Sequence, residues 1–147
     1  MSMADKYFVD TNILLYAHDP STGLKHKRAR ALLEQLWDSG RGVVSTQVLQ
    51  ELCINLRSKI VRPIPVEDIR QLIQDYLTWE VVTNTPESVL RALEIEVRYK
   101  TSFWDALILQ AAEQSGAAIL YSEDLAAGQK YGEVRVVNPL VSPTPTS

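Results

Sequence analysis

A parallel α/β sandwich is the fold this sequence predicts. Five short β-rich runs, at 7–9, 42–45, 80–83, 118–121 and 134–137, carry few polar residues and no strict alternation. Strands buried on both faces of a parallel sheet read this way. Helical patterns lie between these runs, and strands alternating with helices build a parallel sheet covered by helices. A length of 147 residues suits one domain with a core that needs no covalent staples.

The elements follow in order. The run at 7–9 stops at Asp10, where a helix or turn begins. Over 22–39, Ala29, Leu32, Leu33 and Leu36 fall at helical spacing, and Gly40 ends the run. Ser45 or Thr46 caps a helix over 47–59. The helices at 65–77 and 86–99 each open on a proline, which suits a first helical turn. A last helix over 102–115 closes at Gly116. Two helices follow one another between 46 and 79, so the second strand-to-strand connection is a helical pair. Nothing repeats and no linker interrupts the chain, so residues 1–141 are expected to form a single domain. The final segment 142–147, rich in Pro, Ser and Thr, reads as a disordered tail.

Composition narrows the setting. The chain is 46% apolar and 22% charged, as soluble globular proteins are. Its one cysteine, Cys53, rules out an intramolecular disulfide, suits a reducing cytosol and reads as core. The apolar run before Asp10 is too short for a secretion signal, and no stretch approaches the roughly 20 residues that span a bilayer. A cytoplasmic protein without membrane contact is expected. The net charge of −3 is unusual for a partner of nucleic acid. With four acids of the 18 set against a cation, 14 remain to face 15 Lys and Arg. Contact with a polyanion then falls to local clusters, of which Lys25 to Arg30 is the densest. The same cluster reads equally as a solvated helix face.

Four carboxylates draw attention by position. Asp10 follows the first strand and Asp124 the fourth, and ligands of open parallel sheets bind at the carboxyl ends of strands. Glu51 lies one turn into the helix after the second strand. Asp105 lies in the first turn of the helix before the fourth, whose N-terminus is expected at the same edge. Carboxylates gathered without a counterion repel one another, and a hard cation such as Mg²⁺ or Mn²⁺ removes that cost. One or two such ions suit phosphodiester hydrolysis. No zinc-type Cys/His spacing and no Gly-rich phosphate loop is present.

Each acid also has a plainer explanation. Asp10 reads as a helix cap, Asp124 as a turn residue, and Asp105 as the partner of Ser102 in a capping box. Glu51 projects about 130° from the stripe of Val48, Leu49, Leu52, Cys53 and Leu56, as a solvated flank does. Asn12 either orients Asp10 or closes the turn. Ser122 either holds a phosphate or water or is a structural hydroxyl. His18 and His26 are expected at the surface, while Trp104, Trp37 and Trp79 read as packing residues.

Four stretches in order resemble the PIN-domain family, in particular VapC-like toxins of prokaryotic toxin–antitoxin systems. They are YFVDTNILLY at 7–16, STQVLQEL at 45–52, SFWDALI at 102–108 and LYSEDL at 120–125, followed by Gly128, Gln129 and VVNP at 136–139. The resemblance runs from about Lys6 to Pro139. It implies a three-layer α/β/α sandwich around a mostly parallel sheet of four to five strands. It also implies a Mg²⁺- or Mn²⁺-dependent endoribonuclease acting on RNA, frequent homodimers, and a small antitoxin whose C-terminal segment blocks the site. The family's acids fall on Asp10, Glu51, Asp105 and Asp124, with Asn12 and Ser122 as polar neighbours and Asp10 and Asp105 as the firmest metal ligands. Glu123 receives no family role. No further acid follows Asp124 closely, which leaves one metal ion or two. Alternative functions are an RNA-processing nuclease without an antitoxin, a non-catalytic RNA- or protein-binding module on the same fold, and a phosphatase or phosphoacceptor domain. Asn12 stands where the phosphatases need a second Asp, and Lys130 is poorly placed for a phosphoacceptor's lysine.

Overall fold

Residues Tyr7–Val9 form β1, whose three side chains are all buried. The structure, a computed structural model, describes residues 5–141. Residues 1–4 and the segment 142–147, read above as a tail, lie outside the described residues. After β1 come α1 (Thr11–Ala17), a single 3₁₀ turn (Pro20–Thr22), α2 (Leu24–Ser39), β2 (Gly42–Ser45), α3 (Thr46–Ser58) and α4 (Val66–Tyr76). Then follow β3 (Glu80–Val82), α5 (Pro86–Tyr99), α6 (Phe103–Ser115), β4 (Ile119–Tyr121), β5 (Lys130–Tyr131) and β6 (Val134–Val137).

The sheet runs β3-β2-β1-β4-β6-β5, and every pairing is parallel except β5 with β6. From β1 the chain first builds outward through β2 to β3. It then crosses back to place β4 on the other side of β1. Right-handed crossovers in opposite directions put their helices on opposite faces. Accordingly α1, α2, α3 and α4 pack among themselves, while α5 packs on α6 and α6 lies across β2, β3, β4 and β6. This is the three-layer sandwich. Burial on both faces explains the missing alternation: Phe8, Val9, Val44, Leu120 and Val136 are all fully buried.

Local chemistry sets the helix ends. The Ser45 hydroxyl accepts from Val48 N–H at 3.3 Å to start α3. Thr85 and Ser88 cap α5 reciprocally, with Pro86 in the first turn. Gly40 and Gly116 close α2 and α6 in the left-handed conformation.

Three details differ from the sequence expectation. The helix expected from residue 22 starts at Leu24, because Asp19 caps a separate turn through Ser21 N–H and Gly23 takes a φ of 64°. A sixth strand, β5, pairs with β6 through the two-residue turn Gly132–Glu133, where Gly132 has a φ of 59°. A two-residue strand is too short to leave a periodic signal. His18, expected at the surface, is half-buried and stands 2.7 Å from the Tyr76 hydroxyl, with its ring edge-on to that tyrosine. Trp79 packs against the core, and Trp37, 41% exposed, joins it in a cluster with Tyr76 at 5.2–5.6 Å between ring centroids. Trp79 lies against Gly42, where a Cβ would stand 2.6 Å from the indole.

Burial pushes the His18 pKa down to about 4, with the charges of Arg30 and His26 adding to the effect. The unfolded value is about 6.5. The folded chain therefore binds fewer protons, and the stability due to neutral His18 is complete above about pH 6.5 and lost as pH falls towards 4. Relative to a His18→Gln variant, the wild type should lose on the order of 3 kcal/mol between about pH 7 and pH 4. Urea unfolding of both proteins at the two pH values measures this; parallel changes would show that His18 does not carry the effect.

Candidate active site

β1 and β4 are neighbours from which the chain departs in opposite directions, so a crevice opens beyond their carboxyl ends. Asp10 stands there. Its backbone N–H donates to Tyr121 O at 2.9 Å, which extends the β1–β4 ladder by one bond. Its carboxylate is held from two sides. Oδ1 accepts from Thr11 N–H at 2.7 Å, and Oδ2 accepts from the Ser122 hydroxyl at 2.8 Å. Asp10 is thus the N-cap of α1 as well as a residue of the crevice.

The crevice is a cavity of about 240 Å³. Asp10, Glu51, Asp105 and Asp124 all line it, as does Asn12. Glu51, which the helical stripe alone places on a solvated flank, is half-buried, and its Oε1 accepts from the Thr11 hydroxyl at 2.9 Å. That bond joins α3 to α1. Asp105 occupies the third position of α6, and its N–H donates to the Ser102 hydroxyl at 3.1 Å. Among the described residues no return bond from the Asp105 carboxylate to Ser102 forms, so the capping box stays half made; Asp105 lines the cavity, and its charge acts on Tyr131, whereas Glu51 and Asp124 act on Asp10. Asp124 is exposed, on the loop that follows Ser122.

Ser122 is fully buried and does not itself line the cavity. Its hydroxyl donates to Asp10 and accepts from the N–H groups of Asp124 and Leu125 at 3.2 and 3.4 Å. The hydroxyl therefore couples the Asp10 carboxylate to the loop that carries Asp124. Asn12 accepts from Glu123 N–H at 3.4 Å, a second tie to the same loop. Glu123 supplies a third. It accepts from the Tyr16 hydroxyl at 2.6 Å and pairs with Lys25 at 2.6 Å, while Lys25 lies 5.0 Å from the Tyr16 ring. Burial pushes the Glu123 carboxyl up, but these two partners pull it below its usual range. Lys25, part of the basic cluster, is thus an anchor for the Asp124 loop.

Sequence reasoning missed several residues of this cavity. Gln47, Asn55 and Lys59 line it together with Glu51. The four are spaced by four residues along α3, so they form one polar stripe beside its apolar one. That periodicity was the available signal. Trp104 was expected to pack; it is 65% exposed at the cavity rim.

The lining is rich in oxygen donors and contains no His or Cys. Such a set fits a hard divalent cation. The four acids share the cavity without closing into a cage. Among the described residues no group of three or more His, Cys, Asp or Glu is positioned to hold a metal ion. Burial drives the Asp10 carboxyl up to about 6, the hydrogen bonds from Ser122 and Thr11 oppose it, and the charges of Glu51 and Asp124 add to it.

An acid whose folded pKa lies above its unfolded value favours folding while protonated. Stability due to Asp10 is therefore lost as pH rises from about 4 through 6, and the ionised group is a liability at neutral pH. In chelator at about pH 7.5, Asp10→Asn should be more stable than the wild type, by up to the order of 2 kcal/mol. The difference should vanish below about pH 4. Thermal unfolding of the two proteins at both pH values tests this, and an equally destabilised variant throughout would contradict it.

The PIN domain matches residues 7–131 of this chain. No curated protein sequence matches it. Among solved structures, the chain is similar to VapC20 of Mycobacterium tuberculosis, a sarcin–ricin loop cleaving toxin, at 22% identity and a TM-score of 0.63, over 81% of this chain and 90% of that one. A toxin–antitoxin complex from Klebsiella pneumoniae aligns at 19% identity and a TM-score of 0.67, over 91% and 98%. DNA-bound VapBC from Salmonella typhimurium aligns at 16% identity and a TM-score of 0.61, over 90% and 96%. These likenesses are of fold. With the match running from β1 through β5, and so through all four cavity acids, the chain belongs to the PIN-domain family.

Proposed function

We propose that this protein is a metal-dependent endoribonuclease, the toxin of a toxin–antitoxin pair, acting in the cytoplasm. The observation that supports the reading is that four acidic residues line one cavity at the switch point of the sheet. The structural neighbours, toxins alone or with antitoxins, give the reading its biological setting.

Asp10 and Asp105 would hold a first Mg²⁺ or Mn²⁺, and Glu51 and Asp124 would hold a second or complete the first. Bound there, the ion supplies Lewis-acid activation of water and neutralises charge on the phosphodiester. The chain's own residues prepare this. Thr11 N–H and the Ser122 hydroxyl fix the orientation of Asp10, and the Thr11 hydroxyl does the same for Glu51. Lys25, Tyr16 and Asn12 restrain the loop that carries Asp124. Burial keeps the Asp10 carboxyl short of water, so a cation is a better partner for it than solvent is.

An antitoxin is the proposed protein partner, and a homodimer the proposed assembly. Val89, Leu90, Leu93 and Val97 present an apolar stripe to solvent along α5, each more than 40% exposed. That stripe is the face we assign to self-association.

Two outcomes are expected. With Mn²⁺, the purified protein should cleave RNA, Asp10→Asn should abolish cleavage while retaining the fold, and Ser122→Ala should weaken metal affinity roughly 10- to 100-fold. Cleavage assays with calorimetric metal titration measure this; Mn²⁺-independent activity, or activity unchanged in Asp10→Asn, would refute the reading. Leu93→Glu should convert the dimer to a monomer in sedimentation velocity, and an unchanged sedimentation coefficient would rule out the α5 face.

A further inference from the structure

Holding a cation accounts for the acids of the cavity. It does not account for Trp104 or Lys59. Trp104 leaves 65% of its surface in water, although the other two tryptophans of the chain are gathered around Tyr76. Exposing so large an apolar group is unfavourable unless something covers it. Its position is well defined. The Phe103 ring meets it edge-on at 5.6 Å, and its carbonyl accepts from the Gln47 amide at 3.4 Å, which ties the start of α6 to α3.

Lys59 is the sole Lys or Arg among the residues that line the cavity. No ion pair holds Lys59 among the described residues, so its ammonium is open to a ligand. Its place at the end of α3 explains why a cation is tolerated there. It does not explain a cation left unpaired beside four acids. Gln47, 6% exposed and at the Trp104 end of α3, has an Oε1 without a hydrogen-bond partner among the described residues. A buried acceptor left this way is unfavourable, and a ligand rich in donors relieves it.

We propose that Trp104 and Lys59 form a nucleotide subsite at the rim of the cavity. An unpaired RNA base stacks on the Trp104 indole, and a phosphate farther along the strand, across the cavity, meets the Lys59 ammonium. An aromatic platform next to a backbone cation is how single strands are gripped without regard to sequence. The arrangement also answers the charge problem of the site. A polyanion approaching four carboxylates needs a local positive contact, and Lys59 is the one the cavity offers. The subsite rests on the ribonuclease reading and adds to it that the strand enters unpaired, with one base off its stack next to Asp105.

The test uses the full chain carrying Asp10→Asn, which keeps the probe intact, and a labelled single-stranded oligoadenylate of about ten nucleotides followed by anisotropy. Trp104→Ala should weaken binding roughly tenfold or more, and Trp104→Phe should restore most of the loss. Lys59→Gln should weaken binding and lower the slope of log affinity against log salt by about 0.7, one phosphate contact on a single strand. A blunt-ended RNA duplex should be insensitive to Trp104→Ala. Equal affinity of Trp104→Ala and its parent overturns the subsite, as does an equal loss for single strand and duplex. A Trp104→Ala variant that changes the sedimentation coefficient and leaves oligoadenylate binding intact assigns the indole to a protein contact and also overturns it. In the cleavage-competent chain with Mn²⁺, Trp104→Ala should raise KM and largely spare kcat. Absence of cleavage in the parent defeats the ribonuclease reading alone, because the binding arm still decides the subsite.

Discussion

The rest of the site depends on the hydrogen bond between the Ser122 hydroxyl and the Asp10 carboxylate. It spans the junction of β1 and β4, two neighbouring parallel strands whose onward connections diverge. Through it, a buried carboxylate, a strand end and a loop share one geometry. The same hydroxyl receives two N–H groups from the loop beyond β4, so Asp10 and Asp124 cannot shift independently. From Asp10 the connection continues through Thr11, whose N–H binds Asp10 and whose hydroxyl binds Glu51. Three of the four acids are therefore linked through two small hydroxyl residues. Asp105 reaches the same cavity separately, from the opposite layer of the sandwich, through the start of α6.

That network opposes the ordinary demands of stability. A folded chain gains little by burying Asp10, whose carboxyl is pushed up by desolvation and by the charges of Glu51 and Asp124. Elsewhere most buried side-chain polar groups are satisfied, the Trp79 indole nitrogen being an exception among the described residues. His18 is kept neutral beside Tyr76, and Ser88 is paired with Thr85. The contrast sets the cavity apart from the fold that supports it. Strain of this kind persists where surrounding structure holds it in place, and here both sides of the sheet contribute to holding it.

Much of the architecture was legible in the sequence, because strands buried on both faces and helices with apolar stripes each leave a periodic mark. The helical pair between β2 and β3 and the proline-opened α5 followed from such marks. What was not legible had no period to detect. The two-residue β5 is defined only by its pairing with β6, and the burial of His18 only by Tyr76, 58 positions away. The acids were harder still, since local chemistry explains each one twice. Asp10 caps α1 and also lines the cavity, and Asp105 sits in the capped first turn of α6 and also lines the cavity. Only their order along the chain, matched to a family pattern, separated the two explanations. For α3 the signal was present but not specific: Gln47, Glu51, Asn55 and Lys59 recur every four residues, a polar stripe that a solvated flank shows as well.

The four carboxylates differ in how firmly the fold positions them, and the order has a physical cause. Asp10 is buried and oriented by two donors. Asp105 is fixed through a backbone N–H in the first turn of a thirteen-residue helix, where the helix dipole favours a negative charge. Glu51 sits in mid-helix without that benefit and relies on one hydroxyl, and Asp124 is exposed on a loop restrained by Ser122, Asn12 and the Lys25–Glu123 pair. Positional certainty thus falls from the sheet outward. Oxygens that must meet a hard cation at short, regular distances are best drawn from the firm end, while those that adjust as a strand arrives are best drawn from the loose end. The acids accordingly line an open cavity at graded depth, Asp10 buried at the sheet edge, Glu51 and Asp105 half-buried, and Asp124 exposed.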